Sequence, residues 1–435
     1  MKNKRYITLG FASIAIAFSL LLTSNLFAET PTKSTESSRL EALTKFTKVL
    51  SIVEQYDVDK PTIEQLIDKA LDGMMKNLDA HSNYLTAKDY KSLQVQTKGE
   101  FGGLGITVGM KDGALTVISP IDGTPADKAG LKAKDIILKI DNNSTIGMTI
   151  DEAVSLMRGK VGDPIDVTIV RAGEVKPLKV HIVRGVITIE SVHAKTIGDD
   201  ILYIRIASFD QKVAKDVKKA ILAHKNTKGI ILDLRNNPGG LLDQAIDVVD
   251  LFVDKGPIVS QKGREAKDEK VYSATTSTTI TKVPMVVLVN GGSASASEIV
   301  SGALQDHKRA VLVGEKTFGK GSVQVVLPIT KTEAIKLTIA RYYLPSGRTI
   351  QAVGVTPDIS VTAGEVTTHK NEFAIKEADL KEHLKKELAK VDGKKKADKE
   401  DKKANKDIIT PEMLNKDIQL KEGVDIIKAL AIIKG

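Results

Sequence analysis

The sequence has no cysteine and no tryptophan, and aromatic residues fill only 4% of its 435 positions. Without cysteine there is no disulfide framework, no thiolate nucleophile and no zinc site built on sulfur. The fold is therefore indifferent to the redox state of its compartment. Seven histidines are scattered along the chain, none in an H-E-x-x-H arrangement or paired at metal-ligand spacing. Neither a metal nor any other cofactor is expected. Scarce aromatics argue against a base-stacking platform. The formal net charge of +9, from 64 Lys+Arg against 55 Asp+Glu, is a mild excess rather than a nucleic-acid footprint. Only one apolar run approaches membrane-spanning length, and it lies at the amino terminus.

What is present is ordinary globular material, 42% hydrophobic and 27% charged, in a chain too long for one core. Lys2, Lys4 and Arg5 precede the apolar run Ile7 to Leu22, and Ala28 offers a small residue before Glu29. That is the order of a secretory signal, cleaved or retained as an anchor, over residues 1–28. The remainder is expected outside the cytoplasm, in the periplasm or another extracytoplasmic space, with attachment to the inner membrane as the alternative if the segment stays. Residues 29–38 are rich in Thr, Ser and Pro and read as a linker.

From 39 to 98 apolar residues recur at helical spacing (Phe46, Val49, Leu50 and Val53, then Ile63, Leu66, Ile67, Ala70, Leu71 and Met74), predicting a helical segment. From 99 to 185 short strands are separated by turns such as Lys111-Asp112-Gly113. One helix interrupts them over Thr149 to Arg158, opened by a capping-box pattern at Thr149 and Glu152. From 186 to 362 near-continuous apolar strands, Ile230-Ile231-Leu232 and Met285 to Val289 among them, alternate with helices near 211–224, 241–252 and 295–308. Such strands are buried on both faces, which predicts an α/β core. Residues 363–435 hold a Lys-rich linker, with the run Gly393-Lys394-Lys395-Lys396, and then a short helix pair over Ile408 to Ile433.

Four constellations could carry chemistry. Asn290-Gly291-Gly292-Ser293-Ala294-Ser295-Ala296-Ser297-Glu298 joins a buried strand to a helix, presenting serines beside free N–H groups at a helix N-terminus. The same run also reads as a plain capping box, Ser295 to Glu298. The residues alone do not choose among Ser293, Ser295 and Ser297. Gly314 to Lys320 nearly spells a P-loop, but Gly321 stands where Ser or Thr is needed and a strand follows instead of a helix. Nucleotide binding is not expected. Lys320, held between two glycines, could serve a serine as base if burial lowers its pKa, and Gln324 could orient the neutral amine. Asp233-Leu234-Arg235-Asn236-Asn237-Pro238-Gly239-Gly240 lies at a strand end, where α/β sheets bind ligands. Gly102-Gly103-Leu104-Gly105-Ile106 could form a nest for a carboxylate ahead of a strand edge.

Taken together, the runs S-A-S-A-S-E-I at 293–299, T-F-G-K-G-S-V-Q at 317–324 and L-D-L-R-N-N-P-G-G at 232–240 resemble the C-terminal processing (tail-specific) peptidase family, in order and spacing, over roughly residues 40–360. The resemblance implies a multidomain α/β protein, with a core similar to Clp-type proteases and crotonases, an inserted β-rich PDZ domain, and helical terminal segments. It makes Ser295 the nucleophile, Lys320 the general base and Gln324 its support. Gly239 and Ala296 become the oxyanion-hole donors. Gly103, Leu104, Gly105 and Ile106 become the binders of a substrate's free C-terminus and apolar tail, and Arg158 a residue sensing occupancy of the PDZ domain. His81, within Leu78-Asp79-Ala80-His81-Ser82, also matches a family motif and is read as structural. Expected partners are protein or peptide substrates, an activating partner and further copies of the chain. A non-catalytic PDZ scaffold is the competing reading, and it has no use for Ser295, Lys320 and Gln324 together.

Overall fold

The computed structural model describes residues 33–198, 200–365 and 407–434, and the chain divides after Leu78 into two compact units. The signal or anchor segment and the Lys-rich run at 393–396 lie outside the described residues. Among the described residues no helix is long and apolar enough to cross a membrane.

The first unit contains the helices Lys33–Tyr56 and Ile63–Lys76, the latter opened by a capping box in which Thr62 and Gln65 satisfy each other's backbone N–H. The expected linker is helical from Lys33 onward. Pro31 precedes it, and Glu36 places negative charge against the positive end of the helix dipole. Helix does not run through to residue 98 either. Asp79 accepts the N–H groups of His81 and Ser82 and turns the chain into a short strand, Asn83–Leu85. The helix Ala87–Lys98 follows and ends at Gly99, whose φ of 66° is natural only for glycine.

Next in the second unit comes a β-rich module with its own core. Five strands, Ile106–Lys111, Ala114–Pro120, Ile136–Ile140, Pro164–Val170 and Leu178–Val183, form an antiparallel sheet in that order, and Asn143–Ser144 pairs off the path with Ile136–Ile140. Leu115, Val117, Ile137, Ile165, Val167 and Ile169 bury one face beneath the helix Ile150–Met157. That helix has the expected capping box, with Thr149 Oγ1 on the Glu152 N–H and the Glu152 carboxylate on the Thr149 N–H. Glu100–Gly103 pairs with Gly185–Thr188, so the entry and exit of the module run side by side.

Seven strands make the main sheet of the core, in the order Ile359–Ser360, Val311–Gly314, Met285–Val289, Gly229–Asp233, Ile201–Ile206, Val192–Ile197 and Ile408–Ile409. All neighbours are parallel except Val192–Ile197 with Ile201–Ile206. The three central strands carry apolar residues on both faces because both are covered. The helices Val213–Ala223, Leu242–Asp250 and Ala296–Asp306 lie over one side and Ile418–Lys434 over the other. A second sheet joins Asn83–Leu85, Ala334–Tyr343, Gly256–Lys262 and Lys270–Ala274, with Ser322–Pro328 paired to Ala334–Tyr343. Since Asn83–Leu85 precedes the β-rich module and its partner follows it, the module is an insertion in the core.

Candidate active site

Strand Met285–Val289 is buried throughout and delivers the chain to a tight turn at its C-terminal end. Asn290 holds the turn: its Oδ1 accepts from the N–H of Asn236 (2.9 Å) and Gly292 (3.0 Å), and its amide donates to Asn236 Oδ1 (2.9 Å). The three serines then separate. Ser293 Oγ donates to the Leu234 carbonyl (2.8 Å) and Ser297 Oγ to the Asn237 carbonyl (2.9 Å), and both residues are fully buried. Their hydroxyls tie the serine turn to the 232–240 turn. Ser295 is partly exposed, its Oγ makes no cap hydrogen bond, and its backbone sits at φ 56°, ψ −112°. A positive φ on a residue with a Cβ costs roughly 1–3 kcal/mol. A sharp strand-to-helix turn of this kind is how serine hydrolases expose a nucleophile.

Glu298 connects this serine to the lysine. Fully buried, it turns Oε2 toward both the Ser295 N–H and the Lys320 N–H, each at 2.8 Å. Those two backbone nitrogens therefore lie within two hydrogen-bond lengths of each other. Oε1 accepts from Thr317 Oγ1 (2.6 Å) and the Gly319 N–H (2.7 Å). Lys320 is half-buried, and among the described residues its amine forms no ion pair or hydrogen bond. Burial lowers its pKa and the charge of Lys336 lowers it further, against the opposing pull of Glu298. His81 lies within electrostatic reach of the same amine: burial lowers its pKa first, and the Lys320 charge adds to that.

The 232–240 turn closes on the serine. A methyl group added at Gly239, where φ is 102°, would stand 2.9 Å from Ser295 Cβ and 3.0 Å from the Ala296 nitrogen, so only glycine fits. Of the two expected oxyanion donors, Ala296 has an N–H with no acceptor among the described residues, as the first residue of its helix should. The Gly239 N–H instead donates to Asn237 Oδ1 at 2.9 Å, the nearer acceptor across this tight turn. In this conformation it is not free for an oxyanion. Gln324 also departs from expectation. A bulge in the pairing of Ser322–Pro328 directs its amide to Ser322 Oγ (2.8 Å) and Thr338 Oγ1 (3.4 Å), not to Lys320. Thr338 Oγ1 in turn donates to Asp79, so the Asp79-Ala80-His81-Ser82 turn supports the strand that faces Gln324.

Within the β-rich module, the Leu104 carbonyl accepts from Ala126 and the Gly105 carbonyl from Ile121 and Thr124. The N–H groups of Leu104 and Gly105 find no acceptor among the described residues. They precede strand Ile106–Lys111, which is paired on one side only. Gly103 lies in the strand that closes the module. Arg158 is exposed and stacks its guanidinium on Phe101 at 4.4 Å, with no contact to the Ser295 region.

A buried ion network escaped the sequence. Arg235 grips Asp233, which is fully buried, and Asp417, each at 2.7 Å, while Tyr203 donates to Asp233 at 2.8 Å. The carboxy-terminal segment is thereby pinned to the strand that leads into the 236–240 turn. Among the described residues no group of three His, Asp or Glu could hold a metal ion.

Residues 200–361 match the model of peptidase family S41, and residues 102–182 match that of the PDZ domain. A carboxy-terminal-processing protease of Bartonella bacilliformis is 42% identical over 424 residues, covering 96% of this chain and 94% of that protein. A carboxy-terminal processing protease of Bacillus subtilis is 37% identical, covering 81% of this chain and 76% of its own. Among solved structures, a photosystem II D1 C-terminal processing protease is 28% identical over 73% of this chain and 92% of that chain, with a TM-score of 0.41.

Proposed function

The chain belongs to peptidase family S41 as a carboxy-terminal processing serine protease with a PDZ domain, and on that premise we propose that Ser295 and Lys320 are its nucleophile and general base. The observation that carries this reading is the single Glu298 oxygen shared by the Ser295 and Lys320 N–H groups, with the hydroxyls of Ser293 and Ser297 already committed elsewhere. Lys320, whose charged form burial disfavours, takes the Ser295 proton from its neutral form as Oγ attacks the scissile carbonyl. It returns that proton to the leaving amine. The Ala296 N–H faces the developing oxyanion. A second donor at Gly239 requires its N–H to leave Asn237 Oδ1, and Gln324 supports Lys320 only after leaving Ser322 and Thr338. Both shifts belong to substrate engagement in this reading.

The substrate's terminal carboxylate is held by the N–H groups of Leu104 and Gly105, and its apolar tail adds a strand along Ile106–Lys111. Arg158 is retained as the residue through which an occupied PDZ domain signals. The positive amino-terminal residues and the apolar run after them favour export, with exported proteins as substrates, and the helical terminal segments favour self-association.

Incubating an unfolded protein with wild type and Ser295→Ala tests the nucleophile. Fragments from wild type alone support the assignment; equal cleavage by both removes it. Amidating the C-terminus of a peptide is expected to weaken its binding to Ser295→Ala roughly tenfold or more, the scale of a lost charge-assisted hydrogen bond. Equal affinity for acid and amide would end the role given to residues 104–105.

A further inference from the structure

A cavity of about 350 Å³ lies at the opposite end of the core sheet from Ser295. Its walls come from three separate segments. Asp254 and Lys255 follow the helix Leu242–Asp250, Lys282 precedes strand Met285–Val289, and His307, Lys308 and Arg309 end the helix Ala296–Asp306. Four lysine and arginine cations thus face one space with a single carboxylate, and none of the four has an ion-pair partner among the described residues.

Arg309 is the best-defined member. It is half-buried, donating to the carbonyls of Phe252 (3.0 Å) and Thr281 (3.2 Å) and stacking near the Phe252 ring. Two backbone carbonyls leave part of its fork of donors unused. Burial alone, with no neighbouring acid to offset it, lowers its pKa. His307 donates from Nε2 to the Pro257 carbonyl (2.7 Å), the tautomer that a carbonyl acceptor requires, which fixes the ring at the rim.

The helix dipole accounts for Lys308 and Arg309, since cations are favoured at a helix C-terminus. It does not account for Lys255 and Lys282, which other segments bring to the same cavity. Lys255, Lys282 and Lys308 are exposed, so water softens their mutual repulsion, but four cations against the one carboxylate of Asp254 leave a local excess of positive charge that an anion would neutralise. The volume is at the small end for ligand pockets and exceeds what one phosphate fills.

We propose that this cavity binds a phosphate-bearing anion, a soluble diphosphate or polyphosphate or the phosphate headgroup of an acidic lipid, with Lys255, Lys282, Lys308 and Arg309 as its cationic contacts. The site is separate from the protease chemistry and stands at the far end of the helix whose first turn follows Ser295.

The test uses the full chain. Inorganic pyrophosphate is titrated calorimetrically at low and at physiological salt into wild type, Lys255→Gln/Lys282→Gln and Lys308→Asn. Asn suits the positive φ of 52° at position 308, and Arg309 is left intact because it holds two carbonyls. In parallel, the same proteins are sedimented with vesicles of phosphatidylglycerol or of phosphatidylcholine. All carry the same amino terminus, so differences among them report the cavity. Pyrophosphate binding weakened tenfold or more in the double variant, and weaker at higher salt, supports the site with a soluble ligand. No pyrophosphate binding, but phosphatidylglycerol retention lost in the double variant, supports it with a lipid headgroup. If neither ligand distinguishes wild type from both variants while all three cleave peptide at the same rate, the proposal is overturned.

Discussion

Replacing Lys320 with alanine is expected to lower kcat by roughly 10³-fold or more while the protein stays folded, because a serine hydroxyl without a base is a poor nucleophile. The pH profile separates a proton-accepting role from a merely structural one. Burial and then the charge of Lys336 lower the Lys320 pKa from its ordinary 10.5. Turnover should therefore rise with pH along a single limb centred below that value. Lys336→Gln removes the repulsion and should move the limb to higher pH, so that the variant is slower at neutral pH and recovers when alkaline. A limb unmoved by Lys336→Gln would dissociate the lysine from the proton transfer.

Replacing the lysine should act on stability in the opposite sense to its effect on turnover. With its folded pKa below the unfolded one, Lys320 binds fewer protons in the folded state between the two values, so stability rises with pH across that window and the full penalty applies below it. Lys320→Met removes the penalty. Thermal denaturation should show Lys320→Met more stable than wild type at neutral pH, the gain shrinking as pH climbs toward 10.5. A catalytic residue held against the interest of the fold has this signature.

Much of the core was legible because burial on both faces leaves no ambiguity in the pattern. Met285 to Val289 and Ile230 to Leu232 are apolar at every position, and no solvent-facing strand looks like that. The second sheet was harder. Gly256–Lys262 carries Ser260, Gln261 and Lys262, and Lys270–Ala274 is mostly exposed, so neither shows an apolar run. Asn83–Leu85 is three residues long and owes its conformation to Ala334–Tyr343, far away in sequence. In the site, residue type identified a serine turn, and only the family resemblance selected Ser295. The structure supplies a physical distinction, since the other two serines end on carbonyls of the 232–240 turn. Side-chain directions were not legible. Whether Gln324 reaches Lys320 depends on a one-residue bulge, and whether Gly239 offers its N–H depends on which way Asn237 turns. The Arg235 to Asp417 pair spans 182 residues, and neither residue's surroundings in sequence announce it.

At Glu298 the capping reading of the serine run and the proposed catalytic one do not exclude each other. As the third residue of its helix it reaches back to the Ser295 N–H, one arm of a capping box, and with the same oxygen it holds the Lys320 turn. Glu298→Gln keeps the size but replaces one acceptor oxygen with an amide that donates. Whichever way it turns, one pair of N–H or hydroxyl donors then meets a donor. Leaving buried partners unsatisfied in this way costs roughly 2–5 kcal/mol. The expected result is a clear fall in melting temperature together with a loss in kcat of at least about 10²-fold, while KM, which the proposed tail binding at residues 104–105 would govern, changes little. Glu298→Asp keeps the charge but falls a methylene short of both loops, and should rescue the melting temperature only in part and kcat hardly at all. Should Glu298→Gln retain wild-type kcat, the shared carboxylate does not align the serine with the lysine, and the dyad must owe its geometry to the backbone of the two turns alone.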